Sequence, residues 1–355
     1  MQIISDYSKR KKRVFNWLML GCILIILIVV IGGITRLTQS GLSMVKWEPI
    51  MGVIPPISQA EWTTAFDQYQ QFPEFKHYNS DFSLSDFKSI FFWEYLHRLI
   101  ARLIGLVFII PCILFWRKGY FDKKLKKRVL LILTFGVFQA VLGWVMVKSG
   151  LVDNPHVSHY RLAAHLITAL GLLAYIFWIA LSVKYEVKTA FTKTQLQLNR
   201  ILKGFIAVVF VQLIYGAFVA GLKAGLWYNT FPKMGNNWIP EEFSYALDLN
   251  GIWAIFESPG IVQFIHRLLA YTIVAFLIYL WIRTKKLPLS KPQRVARNVL
   301  TIIVLLQFLL GVLTLLLKVP VSIGVTHQFG AIILLLSLFW FLYSTQKPHS
   351  ILAKD

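Results

Sequence analysis

The sequence predicts an all-α polytopic membrane protein, with eight transmembrane helices arranged as two parallel four-helix-bundle repeats. Three observations predict it. First, apolar residues lie in runs of roughly 19–25, long enough to cross about 30 Å of hydrocarbon as a helix. The chain has 355 residues, of which 57% are hydrophobic and only 15% charged, against about 25% charged in a soluble domain. Second, the net charge of +21 is one-sided. With eight spans, the side that includes the N-terminus carries 25 Lys and Arg against 4 Asp and Glu, and the opposite side carries 12 of each. That is the positive-inside pattern, and it places both termini in the cytoplasm. A basic face for nucleic acid is set aside on the same ground, because the excess lies in short loops between spans. Third, the chain repeats itself, as set out below.

Lys9 to Arg13 anchors span one, about 14–31, which is expected to end at Gly32-Gly33. A long outer segment follows, from Thr35 to about Ile90. In it Ser58 and Glu61 form a capping-box pattern, and Trp62, Phe66 and Tyr69 keep helical spacing up to Pro73. This amphipathic helix is expected to lie on the membrane or on the bundle, and packing alone accounts for its aromatic stripe. Span two, about 91–116, contains His97, and Ser83 with Asp86 can cap a helix that runs into it unbroken. Span three is about 129–147 and span four, with His165, about 158–183. A short outer loop with Asp153, Asn154, Pro155 and His156 joins them. Span five, about 204–219, leads to an outer loop with Trp227-Tyr228 and Trp238. Spans six, seven and eight are about 260–282, 299–317 and 321–343, with His266 in the sixth and His327 in the eighth.

The repeat shows in offsets. Gly32 and Gly41 match Gly216 and Gly225 at 184 residues. His97-Arg98-Leu99 matches His266-Arg267-Leu268 at 169, and Gln139 with Gly143 matches Gln307 with Gly311 at 168. Four spans per half is an even number, so both halves insert the same way round, about an axis along the membrane normal. The halves are residues 1–198 and 199–355. Cys22 and Cys112 lie amid aliphatic residues in different spans, so no disulfide is expected. The short basic start lacks the features of a cleaved leader. The expected location is a bacterial cytoplasmic (inner) membrane, with lipid as the surrounding partner.

Of eight histidines, His97, His165, His266 and His327 each lie six or seven residues from the outer end of an even-numbered span. At 1.5 Å per residue they share a depth of roughly 10 Å. One intramembrane histidine needs only a hydrogen bond to a neighbouring helix. Four at one depth, two in each half, point instead to paired axial ligation of heme iron between helices of a bundle. Zinc would want more ligands than each pair supplies. Ala101, Ala164, Ala169, Gly171 and Ala270 leave room for a flat macrocycle. Arg98 and Arg267 either reach heme propionates or anchor helix ends. The halves differ at Glu94, whose counterpart is Gln263, and at Arg102, whose counterpart is Tyr271. A carboxylate beside one heme only suggests that this site reacts while the other stores or relays electrons. The plainer role for Glu94 is an i,i+4 ion pair with Arg98, and the two roles are compatible.

The residues resemble a known family. Gly32-Gly33-Ile34-Thr35-Arg36-Leu37-Thr38-Gln39-Ser40-Gly41-Leu42-Ser43, Trp47-Glu48-Pro49, Gly52-Val53-Ile54-Pro55-Pro56, Glu94-Tyr95-Leu96-His97-Arg98 and Tyr228-Asn229-Thr230-Phe231-Pro232 are similar to those of heme A synthases. The branch with a long first outer loop, mitochondrial and proteobacterial, is the nearest. The resemblance covers about residues 15–345. It implies oxidation of the ring-D methyl of heme O to a formyl group by successive hydroxylations. It assigns heme b to His266 and His327, and the heme O substrate to His97 and His165. It makes Glu94 the catalytic carboxylate, which stabilises positive charge at the oxidised carbon or handles protons there. An unpaired carboxylate would be strong in the first role. Heme O synthase, oxidase assembly factors and further copies of the chain are the implied protein partners. Some bacterial members carry a cysteine pair in an outer loop, which this chain lacks. The competing reading is a diheme b-type electron carrier that oxidises quinol and alters no heme. The Glu94/Gln263 difference favours the enzyme.

Overall fold

The structure is a computed structural model, and it describes residues 2–44, 54–150, 157–185 and 193–346. Trp47, Glu48, Pro49, Gly52 and Val53 of the first motif lie outside these residues, as do Asp153 to His156 and His349. Twelve α-helices and no strand occur among the described residues. Eight of the helices are long and apolar enough to cross a membrane. They are α1 (Gln2–Leu37), α4 (Leu84–Arg117), α5 (Lys123–Gly150), α6 (His159–Lys184), α7 (Lys193–Gly221), α10 (Pro259–Lys285), α11 (Lys291–Leu316) and α12 (Val321–Ser344). Each covers one of the eight expected spans to within one residue. The short helices are α2 (Gln59–Gln70), α3 (Pro73–Tyr78), α8 (Phe243–Asn250) and α9 (Ala254–Glu257).

The helices outrun the apolar runs, because backbone groups remain better paired in a helix than free at the lipid boundary. α1 passes through Gly32-Gly33 and stops only at Leu37, correcting the expected end. Its last turn is held by Thr35 Oγ1 donating to Ile31 O (2.9 Å) and Thr38 Oγ1 to Ile34 O (2.8 Å). The chain then leaves the helix through Gln39, at φ 53°. α4 starts where expected: Ser83 and Asp86 form a reciprocal capping box, and the helix enters its apolar run without a break.

The amphipathic segment folds as α2, opened by the Ser58–Glu61 capping box, and packs on the first turns of α4. Tyr69 and Phe87 are fully buried and stacked at 5.2 Å, and Trp62 meets Phe91 edge-on at 5.0 Å. Such pairs add about 0.5–1.5 kcal/mol each beyond the area they bury. Pro73 does not merely end the segment. It opens α3, where a proline at the first helical position costs no hydrogen bond.

The chain divides into two compact units, Gly21–Ala169 and Met1–Leu20 with Leu170–Asp355. The boundaries fall inside α1 and α6. In the second unit α7 packs on α10, and α11 on α12. Trp281 Nε1 donates to Thr301 Oγ1 (2.7 Å), tying α10 to α11. The segment between α7 and α10 carries α8, whose Ala246 packs with Ala254 and Ile261. The Phe231–Pro232 peptide bond is cis. Exposed Leu106, Ile110 and Ile113 on α4, and Ile302, Leu305 and Leu309 on α11, suit hydrocarbon.

Candidate functional site

Each of the four intramembrane histidines lies against a glycine of the preceding helix. A Cβ placed on Gly32 of α1 would stand 3.1 Å from His97 Cε1 of α4, and one on Gly143 of α5 3.4 Å from His165 Cε1 of α6. In the other unit the distances are 3.3 Å from Gly216 of α7 to His266 of α10, and 3.0 Å from Gly311 of α11 to His327 of α12. The matched glycines of the repeat are therefore the floors on which the imidazoles rest. His97 and His165 lie in one compact unit, and His266 and His327 in the other. Each of the two pairs expected from sequence thus falls within one unit.

A glutamine also reaches the backbone carbonyl of one histidine in each pair. Gln139 Nε2 donates to His165 O (3.2 Å) and Gln307 Nε2 to His327 O (2.9 Å). The Nδ1 atom of each of the four histidines is buried with no hydrogen-bond partner in the protein. A buried polar atom left unpaired costs about 1–3 kcal/mol. Four such rings in glycine cradles, two in each unit, fit a bis-histidine heme in each unit. Among the described residues no group of three or more His, Cys, Asp or Glu could hold a metal ion.

The cradle distances set a graded prediction. Gly311→Ala is expected to push the His327 ring off its position and to lower heme content. Gly143→Ala, at ordinary van der Waals distance, is expected to leave heme content near wild type. Pyridine hemochrome assay of the two purified variants checks the order.

Glu94 is buried on α4, but it is not unpaired. Its Oε1 accepts from Arg98 Nη2 at 2.5 Å, and its Oε2 accepts from Ser43 Oγ (2.7 Å) and Met44 N (2.8 Å). Arg98 Nη2 also donates to Met44 O (2.9 Å). The i,i+4 pair read from the sequence is present, and together the two side chains close the turn that follows α1. The other unit has the same device in neutral form. Gln263 Nε2 donates to Ala224 O (3.0 Å) and Tyr228 O (3.2 Å). Arg267 donates to Gln263 Oε1 (3.2 Å), Tyr228 O (2.9 Å), Thr230 O (3.0 Å) and Lys233 O (3.2 Å). The bonds drawn by Arg98 and Arg267 thus run to the loops beside the histidines. The polarity of the latch is reversed between the units: Glu94 accepts from N–H and O–H groups, whereas Gln263 donates to carbonyls.

Sequence reasoning missed Glu74. It is buried in α3, accepts from the Tyr69 hydroxyl (3.1 Å), and Asn79 Nδ2 donates to that hydroxyl in turn (2.7 Å). Burial pushes its carboxyl from 4.5 up to about 7; the Tyr69 bond opposes this and the charge of Glu94 adds to it. A single acid in an amphipathic stretch carried no signal of this, because only the fold brings α3 back over α4. A raised carboxyl stabilises the fold fully below its unfolded value near 4.5 and loses that contribution as pH rises through about 7. The α2–α3 cap is therefore expected to open more readily at pH 8 than at pH 5. Hydrogen exchange of α2 and α3 amides across that range should show the slope, and Glu74→Gln should flatten it.

Eight helices long and apolar enough to cross a membrane, with buried histidines on glycine floors, define a polytopic membrane protein whose histidines suit heme. The comparisons with known proteins narrow it. The family described as "Cytochrome oxidase assembly protein" matches residues 15–339. The chain is 43% identical to the heme A synthase of Flavobacterium johnsoniae, over 96% of this chain and 100% of that protein. It is 44% identical to human heme A synthase COX15, over 97% of this chain and 85% of that protein. The heme A synthase of Nitrosospira multiformis is 42% identical over 93% of this chain. The chain belongs to this cytochrome oxidase assembly family of heme A synthases.

Proposed function

We propose that the protein is a heme A synthase, an oxidoreductase that converts the ring-D methyl of heme O to a formyl group by successive hydroxylations. The observation that carries the reading is the pair of matched bis-histidine cradles that differ at one buried position, Glu94 against Gln263, in a chain of this family. His266 and His327 would hold a resident heme b, and His97 and His165 the substrate heme O. The resident heme supplies one-electron redox chemistry. The protein's own part would be to hold the substrate by two imidazoles on glycine floors, and to keep the buried Glu94 carboxylate in the same unit.

Glu94 acts in this reading as a hydrogen-bonded carboxylate, not an isolated one. Arg98 and Ser43 fix its two oxygens, so its dipole is aimed before positive charge develops at the oxidised carbon, and it costs no reorganisation when that happens. Arg98 and Arg267 contribute by positioning the loops at the mouths of the sites. The positive-inside pattern supports a cytoplasmic-membrane protein with both termini in the cytoplasm and both heme sites toward the outer face. A heme O synthase that hands over substrate, oxidase assembly factors that receive heme A, and self-association are the partners that this activity calls for.

The test is extraction and chromatography of hemes from the protein purified from cells that make heme O. Heme b together with heme A is the expected yield. Heme b alone, at two per chain, would make the protein a diheme b-type electron carrier instead.

A further inference from the structure

The two sites are matched in histidines and floor glycines but differ in what braces the histidines. Three residues after His327 stands Gly330. The Gln307 side chain lies across it, in the space that a Cβ at 330 would fill, while its amide donates to His327 O at 2.9 Å. Three residues after His165 stands Thr168, whose hydroxyl turns back to Ala164 O (2.7 Å). The matching Gln139 reaches His165 O at 3.2 Å. A second difference lies one turn before the other floor glycine. Gln212, four residues before Gly216, sets its amide 3.3 Å from His266 Nε2. The residue four before Gly32 is Ile28, which offers His97 a backbone hydrogen bond but no side-chain amide. Both histidines of one site are braced by glutamine, and one of the braces is locked flat by a glycine. In the other site His165 has the longer glutamine brace, and His97 has the Ile28 backbone without a side-chain amide.

We infer that Gln307 on Gly330, assisted by Gln212, makes the His266–His327 site retain its heme, and that Thr168 and Ile28 leave the His97–His165 site able to exchange. The inference rests on the reading that the first pair holds the resident heme and the second the substrate. A resident cofactor must outlast many turnovers, whereas a site whose substrate and product are both hemes must release one each cycle. A histidine already fixed in its ligating position pays less ordering entropy each time the iron bond re-forms, so heme stays longer. Outer partners of metal-ligating histidines are typically worth about 10–100-fold in affinity. Gln212, Gln307 and Gly330 are therefore positioning residues, and they touch neither substrate carbon nor iron.

The experiment measures heme loss from the full-length holoprotein to excess apomyoglobin, followed by absorbance, with the departing heme identified by chromatography. Gly330→Thr installs the residue of the other half, and Gln307→Ala removes the brace without a clash. Each is expected to speed loss of heme b by about 10–100-fold. The double variant is expected to be no faster than either, since both remove one clamp. Size-exclusion profiles matching wild type show that the variants fold. Gln212→Ile is expected to act in the same direction. Wild-type retention in Gln307→Ala overturns the inference, and so does restored retention in the double variant, which would reduce the effect to a steric clash. If the heme lost faster is heme O or heme A, the clamp stands but the assignment of the resident heme to this half falls.

Discussion

Glu94→Gln is expected to yield a folded protein that keeps heme b but accumulates heme O, or a hydroxylated intermediate, in place of heme A. The loss of turnover should be about 10²–10³-fold, the usual cost of removing one preorganised electrostatic stabiliser. The latch geometry explains why the amide is a poor substitute here although it is native at position 263. Three donors converge on the Glu94 carboxylate, from Arg98, Ser43 and Met44. A glutamine offers them a single oxygen and turns its own N–H groups toward donors. At least one charge-assisted bond, worth about 1.5–3 kcal/mol, is lost, and Arg98 is left without its counter-charge. Ser43→Ala separates the two roles of the carboxylate. It keeps the charge and the Arg98 pair but loosens the turn after α1. If it lowers turnover as much as Glu94→Gln, Glu94 works by holding that turn. If it lowers turnover only a few-fold, the charge itself is needed. Heme chromatography of both variants, with single-turnover rates, decides between them.

The second large effect is expected at the histidines, and it differs between the halves. His266→Ala or His327→Ala should strip heme b from the purified protein, with loss of the low-spin bis-histidine spectrum. Removing an axial ligand should exceed the roughly 10–100-fold that an outer partner costs. His97→Ala or His165→Ala should leave heme b in place and abolish retention of heme O. The partner ring in each pair then faces an open position on a glycine floor, so added imidazole is expected to restore part of the low-spin spectrum. Retained heme O oxidation in a His266→Ala protein that has lost its heme b would overturn the division of labour between the sites. Loss of the same heme from all four variants would mean that both pairs take one heme species, as the electron-carrier reading requires.

The eight spans were legible in the sequence because hydrocarbon leaves a chain few choices. Backbone groups must pair within the segment, so a run of apolar residues long enough to cross is a helix whatever surrounds it. The four intramembrane histidines stood out in the sequence for a related reason. An ionisable side chain in that setting is costly enough to stand out, and the duplication repeats the signal. The Ser83–Asp86 and Ser58–Glu61 caps are local chemistry and were also readable. What the tertiary structure decided is everything that depends on which faces meet. The matched glycines at 32, 143, 216 and 311 were visible as a repeat, but their use as floors for imidazole rings needed the helix packing. The Glu94–Arg98 pair follows from helical spacing, whereas its closure onto Ser43 and Met44 spans some fifty residues of chain. Glu74 acquires its raised carboxyl only because α3 folds back under Tyr69. Membrane insertion is governed by the one-dimensional hydropathy of the chain, while a ligand's brace, a latch's polarity and a buried acid's proton are governed by neighbours that one dimension does not order.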